Sequence, residues 1–354
     1  MELTAHQVKR RKAILRLVLI SSTLGIFYTI FAGEWGDFRA MINGTLIGFF
    51  GGILVAVFEF KIFNPQYRKL SFLSIISLKT LLYFLSFLLI IIGVKGYVDS
   101  LFSGVGFWEY INGTEFKRFI QEEDFDVILT YTLFFLIIIT FTIQMGRKIG
   151  YTMLLDTISG KYHIPKEEKR IFMLLDLKSS TTIAEKFGDL KYHQFLNDFY
   201  YDITKCIITA KGNIYRYVGD EVLVSWSIKK GLENANCLRT YFYMKFEIKK
   251  QREKYLLQYG LVPEYTTCFH SGLVVSGEIG EVKSQIVFSG ETLSDIKKLK
   301  KIGTKLNQDL IISESLIKQI EIPAIYEPKE LESISTKDHV KEIKVYTLIE
   351  IENQ

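Results

Sequence analysis

The sequence predicts a chain in two parts, an all-α membrane domain with four transmembrane helices followed by an α+β domain. Two observations predict it. Four long runs with almost no charge fall before residue 146, and none of comparable length follows. After Arg170, short β-rich runs alternate with helical stretches, and two of those runs flank a Gly219-Asp220 turn. Composition agrees: of 354 residues, 48% are hydrophobic and 23% charged, which excludes a disordered or collagen-like chain. A net charge of +5 over this length does not point to nucleic acid, and none is expected as a partner. Three cysteines (Cys206, Cys237 and Cys268) do not make a disulfide scaffold and read as reduced packing thiols.

The apolar runs are 17–32, 40–58, 70–94 and 127–145. About 20 helical residues cross a bilayer core, where an open chain satisfies its own backbone only as helix, so each run reads as a span. The basic start before the first run also suits a signal peptide cleaved near Ala32-Gly33; three further spans favour an uncleaved helix. Lys9, Arg10, Arg11 and Lys12 precede the first span, Lys61, Arg68 and Lys69 separate the second and third, and Arg147 and Lys148 follow the fourth. Acidic Glu122, Glu123, Asp124 and Asp126 lie on the other side. This asymmetry places the N-terminus and the second domain in the cytoplasm, in a multi-pass protein of the plasma (inner) membrane whose partner is the lipid bilayer. Gly44, Gly48 and Gly52 share one helix face, either for close helix approach or as tolerated glycines. Lys79, inside the third run, either snorkels to the interface, pairs with Glu59 or serves ligand sensing. Four spans with so little charge argue against a transporter.

The expected division is a membrane domain over 1–145, a connector over 146–169 interrupted at Gly160 and Pro165, and a second domain over 170–354. In the second domain the run 171–175 reads as a buried strand ending at Asp176. Residues 181–212 read as helix with a break at Gly188. The runs 213–218 and 221–226 form a hairpin with Asp220 at its tip. Residues 232–259 read as one long helix, and strands follow near 265–275 and 285–288. A basic helix over 291–301 precedes a last strand near 343–349.

Asp176 and Asp220 thus close neighbouring strands. Two such carboxylates can hold one or two Mg²⁺ ions, whose octahedra are completed by water and substrate phosphate. Lys178, Ser179, Ser180 and Thr181 open a helix whose free N–H groups suit a phosphate. Taken singly, an Asp after a strand is usually an N-cap and a Gly-Asp hairpin usually just a turn.

Three motifs appear in order: Asp176-Leu177-Lys178-Ser179-Ser180-Thr181, Tyr217-Val218-Gly219-Asp220-Glu221-Val222-Leu223-Val224-Ser225-Trp226, and Phe269-His270-Ser271-Gly272 continuing to Gly280. Together they resemble the class III nucleotidyl cyclase catalytic domain over about 170–351, of the membrane-anchored bacterial type. The resemblance implies a ferredoxin-like α+β core working as a homodimer or heterodimer with sites at the interface. It implies two Mg²⁺ (or Mn²⁺) ions held by Asp176, Asp220 and the backbone carbonyl of Leu177. The implied reaction converts a nucleoside triphosphate, ATP ahead of GTP, to a 3′,5′-cyclic monophosphate and pyrophosphate. His270 then has a structural role.

Four positions depart from the family pattern. The base-selecting Lys and Asp correspond to Arg216 and Val287, which leaves base choice open. The ribose-positioning Asn and the transition-state Arg correspond to Ser294 and Lys298. Lysine keeps the charge but loses the planar fork of arginine. The metal half of the implied site is kept and the other half altered, which fits a weakened cyclase-like subunit that pairs with an intact partner. The bland reading of Lys297, Lys298, Lys300 and Lys301 is a solvated basic face. A diguanylate cyclase reading of Val218–Val222 lacks that family's first glycine.

Overall fold

The structure, a computed structural model, describes residues 5–32, 36–62, 70–121, 123–282, 284–331, 334–335 and 342–351. The chain divides into two compact units, Met1–Ile149 and Gly150–Gln354.

The first unit consists of α1 (Ala5–Phe31), α2 (Phe38–Val57), α3 (Phe72–Ser103), α4 (Phe107–Asn112), α5 (Thr114–Gln121) and α6 (Glu123–Ile149). A π-helical turn, Phe58–Ile62, extends α2. Four segments, Ile14–Phe31, Phe38–Lys61, Phe72–Ser103 and Phe125–Ile149, are long and apolar enough to cross a membrane. The mixed stretch after Lys95 is mostly helical. Lys95 and Asp99, whose charges end the apolar run, pair at 2.9 Å one turn apart, and α3 stops only at left-handed Gly104. Of the residues used for orientation and cleavage, Gly33, Arg68, Lys69 and Glu122 lie outside the described residues.

Both alternatives left open in this unit are decided by packing. A Cβ on Gly44 would sit 2.5 Å from Gly25 O, and one on Gly48 would sit 2.2 Å from Ser21 O. The glycines therefore serve close approach of α2 to α1, which no side chain would permit. Lys79 is fully buried and its Nζ lies 2.6 Å from Glu59 Oε1. Glu59 also accepts from Tyr83 OH at 2.8 Å and from Arg147 Nη2 at 2.5 Å. Lys79 pairs rather than snorkels, because one carboxylate at the end of α2 gathers donors from α3 and α6.

The second unit opens with α7 (Tyr151–Ile158), whose Thr152 hydroxyl donates to Asn213 Oδ1 at 2.9 Å. Strand β1 (Lys166–Leu177) begins inside the stretch read as connector. Its first four residues are too polar to read as a strand, but backbone pairing to Ser276 and its neighbours does not depend on side-chain polarity. Next come α8 (Ser180–Phe187) and α9 (Asp189–Thr209), parted at Gly188 (φ 72°), where the break was expected. The hairpin is β2 (Asn213–Val218) and β3 (Glu221–Ser227). The stretch read as one long helix is instead α10 (Ile228–Leu232), α11 (Asn236–Lys250) and α12 (Arg252–Tyr259). Asn234 and Ala235, both at φ 51°, break it, and Gln251 bends it again. The remainder is β4 (Tyr265–Ile279), β5 (Gln285–Ser289), α13 (Glu291–Lys305), β6 (Leu310–Ser313), α14 (Glu314–Ile317), β7 (Tyr326–Glu330), β8 (Ile334–Ser335), β9 (Glu342–Ile343) and β10 (Val345–Glu350).

The main sheet runs β2-β3-β1-β4-β6-β10-β7, with β5 hydrogen-bonded to β4. The order β2-β3-β1-β4, with α9 and α11 as the crossovers, is the βαββαβ arrangement of a ferredoxin-like core. Strand alternation sends Ile171, Met173 and Leu175 to the face covered by Phe195, Phe199 and Tyr255 of α9 and α12. Phe172 and Leu174 face Ile296 and Leu299 of α13. Trp226 is wholly buried and donates from Nε1 to Ala210 O at 2.9 Å. All three cysteines are buried and unbridged, as their number suggested.

Gly48→Val should force α1 and α2 apart and destabilise the first unit by roughly 1–3 kcal/mol or more. Thermal unfolding of the full chain in detergent measures this; Gly93→Val, where an added Cβ meets nothing within 4 Å, is the control.

Candidate active site

The site is built by strand pairing. In the β1–β3 ladder Asp176 lies opposite Glu221, and Glu221 opposite Val218 closes the β2–β3 hairpin around Gly219 and Asp220. Gly219 takes φ 61°, and Tyr200 OH fixes the turn by donating to Gly219 O at 2.7 Å. The two aspartates that the resemblance implies as metal ligands are thereby brought to one corner of the sheet. Leu177, the next residue of β1, pairs with Tyr265 and has its side chain in the core, consistent with a role for its carbonyl only.

A third element completes this corner. Lys300 of α13 places its Nζ 2.8 Å from Asp176 Oδ1 and 2.6 Å from Glu221 Oε1. Asp176 Oδ1 is buried and, apart from that ammonium, has no hydrogen-bond donor. Burial pushes the Asp176 carboxyl above its ordinary range; Lys300 pulls it down, and the charges of Asp220 and Glu221 push it up again. Burial would lower Lys300, but its two carboxylate partners raise it. Lys300 and Glu221 were not singled out as site residues from sequence. The signal was present: Leu299 and Gly303 are buried positions of α13, so Lys300 flanks the buried stripe instead of lying on a solvated face.

The cation-binding chemistry fits these residues. The carboxylates of Asp176 on β1 and Glu221 on β3 meet at one cationic group, the Lys300 ammonium, and Asp176 Oδ1 is buried. Among the described residues no group of three or more His, Cys, Asp or Glu side chains is arranged to hold a metal. Magnesium needs fewer protein ligands than that when a polyphosphate completes its shell.

The other expected residues are placed as follows. Ser179 adopts a left-handed conformation (φ 55°) and α8 starts at Ser180 without a side-chain cap, so its first N–H groups are free of one. Thr181 is exposed and Ser180 contacts the Tyr192 hydroxyl. Lys178 Nζ lies 2.5 Å from Asp309 Oδ1 and 3.3 Å from Asn307 Oδ1. Arg216 is exposed on edge strand β2 and lines a cavity of about 280 Å³ with Leu174, Leu223, Ile296 and Glu221. Val287, half-buried on β5 opposite Gly277, does not line it. Ser294 is exposed, and Lys298 pairs with Asp295 at 3.0 Å. These two lie about 40° apart around α13 and about 120° and 160° from Lys300, so they are turned away from Asp176 and Glu221. His270 is buried on β4, with Nδ1 2.9 Å from Ser313 Oγ and Nε2 3.9 Å from Asp295 Oδ2. Such placement is structural.

No family model matches the chain. Among curated proteins it is 28% identical to adenylate cyclase 2 of Rhizobium meliloti (strain 1021) over 210 residues, 59% of this chain and 58% of that one. It is 21% identical to the adenylate cyclase of Anabaena cylindrica over 183 residues, 49% of this chain and 35% of that one. Both relatives are adenylate cyclases, and these similarities support a class III nucleotidyl cyclase. The chain spans about half the length of the curated relatives it matches. Solved structures similar to it include the adenylyl cyclase CyaB from P. aeruginosa (16% identity, TM-score 0.44, covering 53% of this chain and 96% of that one). The guanylyl cyclase Cya2 is another (16% identity, TM-score 0.46, covering 52% and 92%).

Removing the Lys300 ammonium should favour a divalent ion at these carboxylates. Lys300→Met is expected to tighten Mn²⁺ binding about tenfold, or ~1.4 kcal/mol, read from the free Mn²⁺ signal in electron paramagnetic resonance. Burial lowers the His270 pKa below its ordinary 6.5, with the Asp295 charge opposing. The unfolded chain therefore takes up the proton more readily, and the contribution is intact above about pH 6.5 and lost as pH falls below it. Unfolding of residues 150–354 should show this loss, and His270→Gln should flatten it.

Proposed function

We propose that the chain is a membrane-anchored adenylate cyclase, converting ATP to 3′,5′-cyclic AMP and pyrophosphate in intracellular signalling, with its N-terminus and cyclase domain in the cytoplasm. The observation that carries this reading is the meeting of Asp176 and Glu221 at the Lys300 ammonium, at the corner of a ferredoxin-like sheet where the charge of Asp220 also acts on Asp176. The adenylate cyclase names of both curated relatives favour ATP over GTP.

In the proposed reaction the ribose 3′-oxygen forms a bond to the α-phosphorus as the bond from that phosphorus to the bridging oxygen breaks. Pyrophosphate leaves, and the hydroxyl proton passes to solvent. Asp176, Asp220 and the Leu177 carbonyl would hold two Mg²⁺ or Mn²⁺ ions. When bound, these supply charge neutralisation at the attacking and leaving oxygens. The chain's own residues orient the carboxylates: the β1–β3 register sets Asp176, and Tyr200 holds the Gly219 carbonyl and with it the turn. Free N–H groups at the start of α8 suit the triphosphate.

Ser294 and Lys298 face outward, which suits contribution to a second cyclase domain across a dimer interface. Their identity favours low turnover in a homodimer and better turnover beside a partner carrying Asn and Arg. Loss of one transition-state donor costs about 10²–10³ in rate.

The full chain in detergent, assayed with ATP and Mn²⁺, should release cyclic AMP slowly, and Asp176→Ala should abolish product. Ser294→Asn with Lys298→Arg should raise kcat by roughly 10²-fold. Absence of product from both the wild type and that double variant, with ATP or GTP, would overturn the proposal.

A further inference from the structure

The first unit contains a cavity of about 350 Å³ enclosed by α1, α2, α3, α5 and α6. It lies between the C-terminal half of α1, the N-terminal half of α2, the C-terminal half of α3 and the N-terminal half of α6, at the end of the bundle remote from Ile149. Its volume is within the range of small-molecule sites, and such sites combine an apolar wall with a few placed polar groups. Both are present. Tyr28 and Tyr131 lie with ring centroids 4.8 Å apart, and Tyr131 and Phe135 4.5 Å apart, forming one aromatic wall.

The polar end is built around Asn43 and Asp99, each 7% exposed. Asp99 accepts from Asn43 Nδ2 at 3.0 Å and from Tyr110 OH at 3.1 Å, and pairs with Lys95 at 2.9 Å. A carboxylate can only accept, so the amide of Asn43 is fixed with its nitrogen toward Asp99. Asn43 Oδ1 is then left buried with no donor. A buried acceptor without a donor is destabilising, and a ligand that donates to it recovers that cost. The charges along this cavity cancel. Asp99 is matched by Lys95, and Asp37 lies 4.0 Å from Arg39, so an ionic ligand would have to break a pair to enter.

From the aromatic wall, the lone acceptor and the cancelled charge, we infer that this cavity binds a small uncharged aromatic molecule carrying one O–H or N–H donor. The ring lies along Tyr28, Tyr131 and Phe135, and the donor meets Asn43 Oδ1. This assignment is independent of the cyclase reaction, because it concerns the other unit and can be tested without turnover.

The probes are 2-naphthol and naphthalene, which share a fused ring and differ by one donor. Binding of each is measured by equilibrium dialysis against the full chain in lipid nanodiscs, with protein-free nanodiscs to subtract partition into lipid. Saturable 2-naphthol binding, about tenfold tighter than naphthalene, is the expected result, one hydrogen bond being worth that factor. In Asn43→Leu the two probes should bind equally, and Thr132→Trp, which fills the cavity, should remove saturable binding of both. Binding of 2-naphthol no greater than partition would overturn the inference, as would equal affinity of the two probes for the wild type. A lipid acyl chain retained in the cavity and undisplaced by 2-naphthol, read by native mass spectrometry, would overturn it as well. The wild-type comparison stands even if a variant fails to fold.

Discussion

Strand β1 is paired on both edges, and that double pairing is the constraint on which the second unit rests. Its register against β3 runs without a shift from Arg170↔Ser227 to Asp176↔Glu221, and against β4 from Lys166↔Ser276 to Leu177↔Tyr265. A slip of one residue would turn Ile171, Met173 and Leu175 from one core to the other and carry Asp176 away from the hairpin turn. Both faces of β1 are buried, so the hydrophobic cost of such a slip is large. The position of the acidic corner is thus a by-product of core packing. The strand need not be held in place by the chemistry it serves.

Lys300 shows how a helix can enter that corner without belonging to the sheet. Thr292, Ile296, Leu299 and Gly303 seat α13 on the strands. Gly303 permits contact at a distance where an added Cβ would lie 2.8 Å from Thr266 Cγ2. Seating fixes the helix rotation, and rotation directs Lys300 inward and Ser294 outward. One helix therefore offers a cation to its own chain's carboxylates while presenting its other face elsewhere. That ammonium relieves the repulsion between Asp176 and Glu221.

In the first unit a comparable role falls to Glu59. Its two oxygens collect Lys79, Tyr83 and Arg147. A charge among apolar helices is tolerable only when paired and hydrogen-bonded. With α1 and α2 drawn together by glycines, the bundle is closed by backbone contact at one seam and by a buried ion network at another. Between them, toward the opposite end, it leaves the aromatic-walled cavity.

The sequence by itself determined the four apolar helices, the hairpin around Gly219-Asp220, the break at Gly188 and the motif set that resembles a class III cyclase domain. These are local: run length, turn chemistry and glycine conformation act over a few residues. It did not determine that β1 starts at Lys166 or that 232–259 breaks at Asn234 and Gln251. Strand pairing and helix seating there override side-chain pattern. Nor did it determine which lysine of 297, 298, 300 and 301 enters the acidic corner, that Lys178 turns to Asp309, or that Asn43 is left with an unmet oxygen. Each depends on residues tens of positions apart meeting at fixed angles, and only the packed cores set those angles.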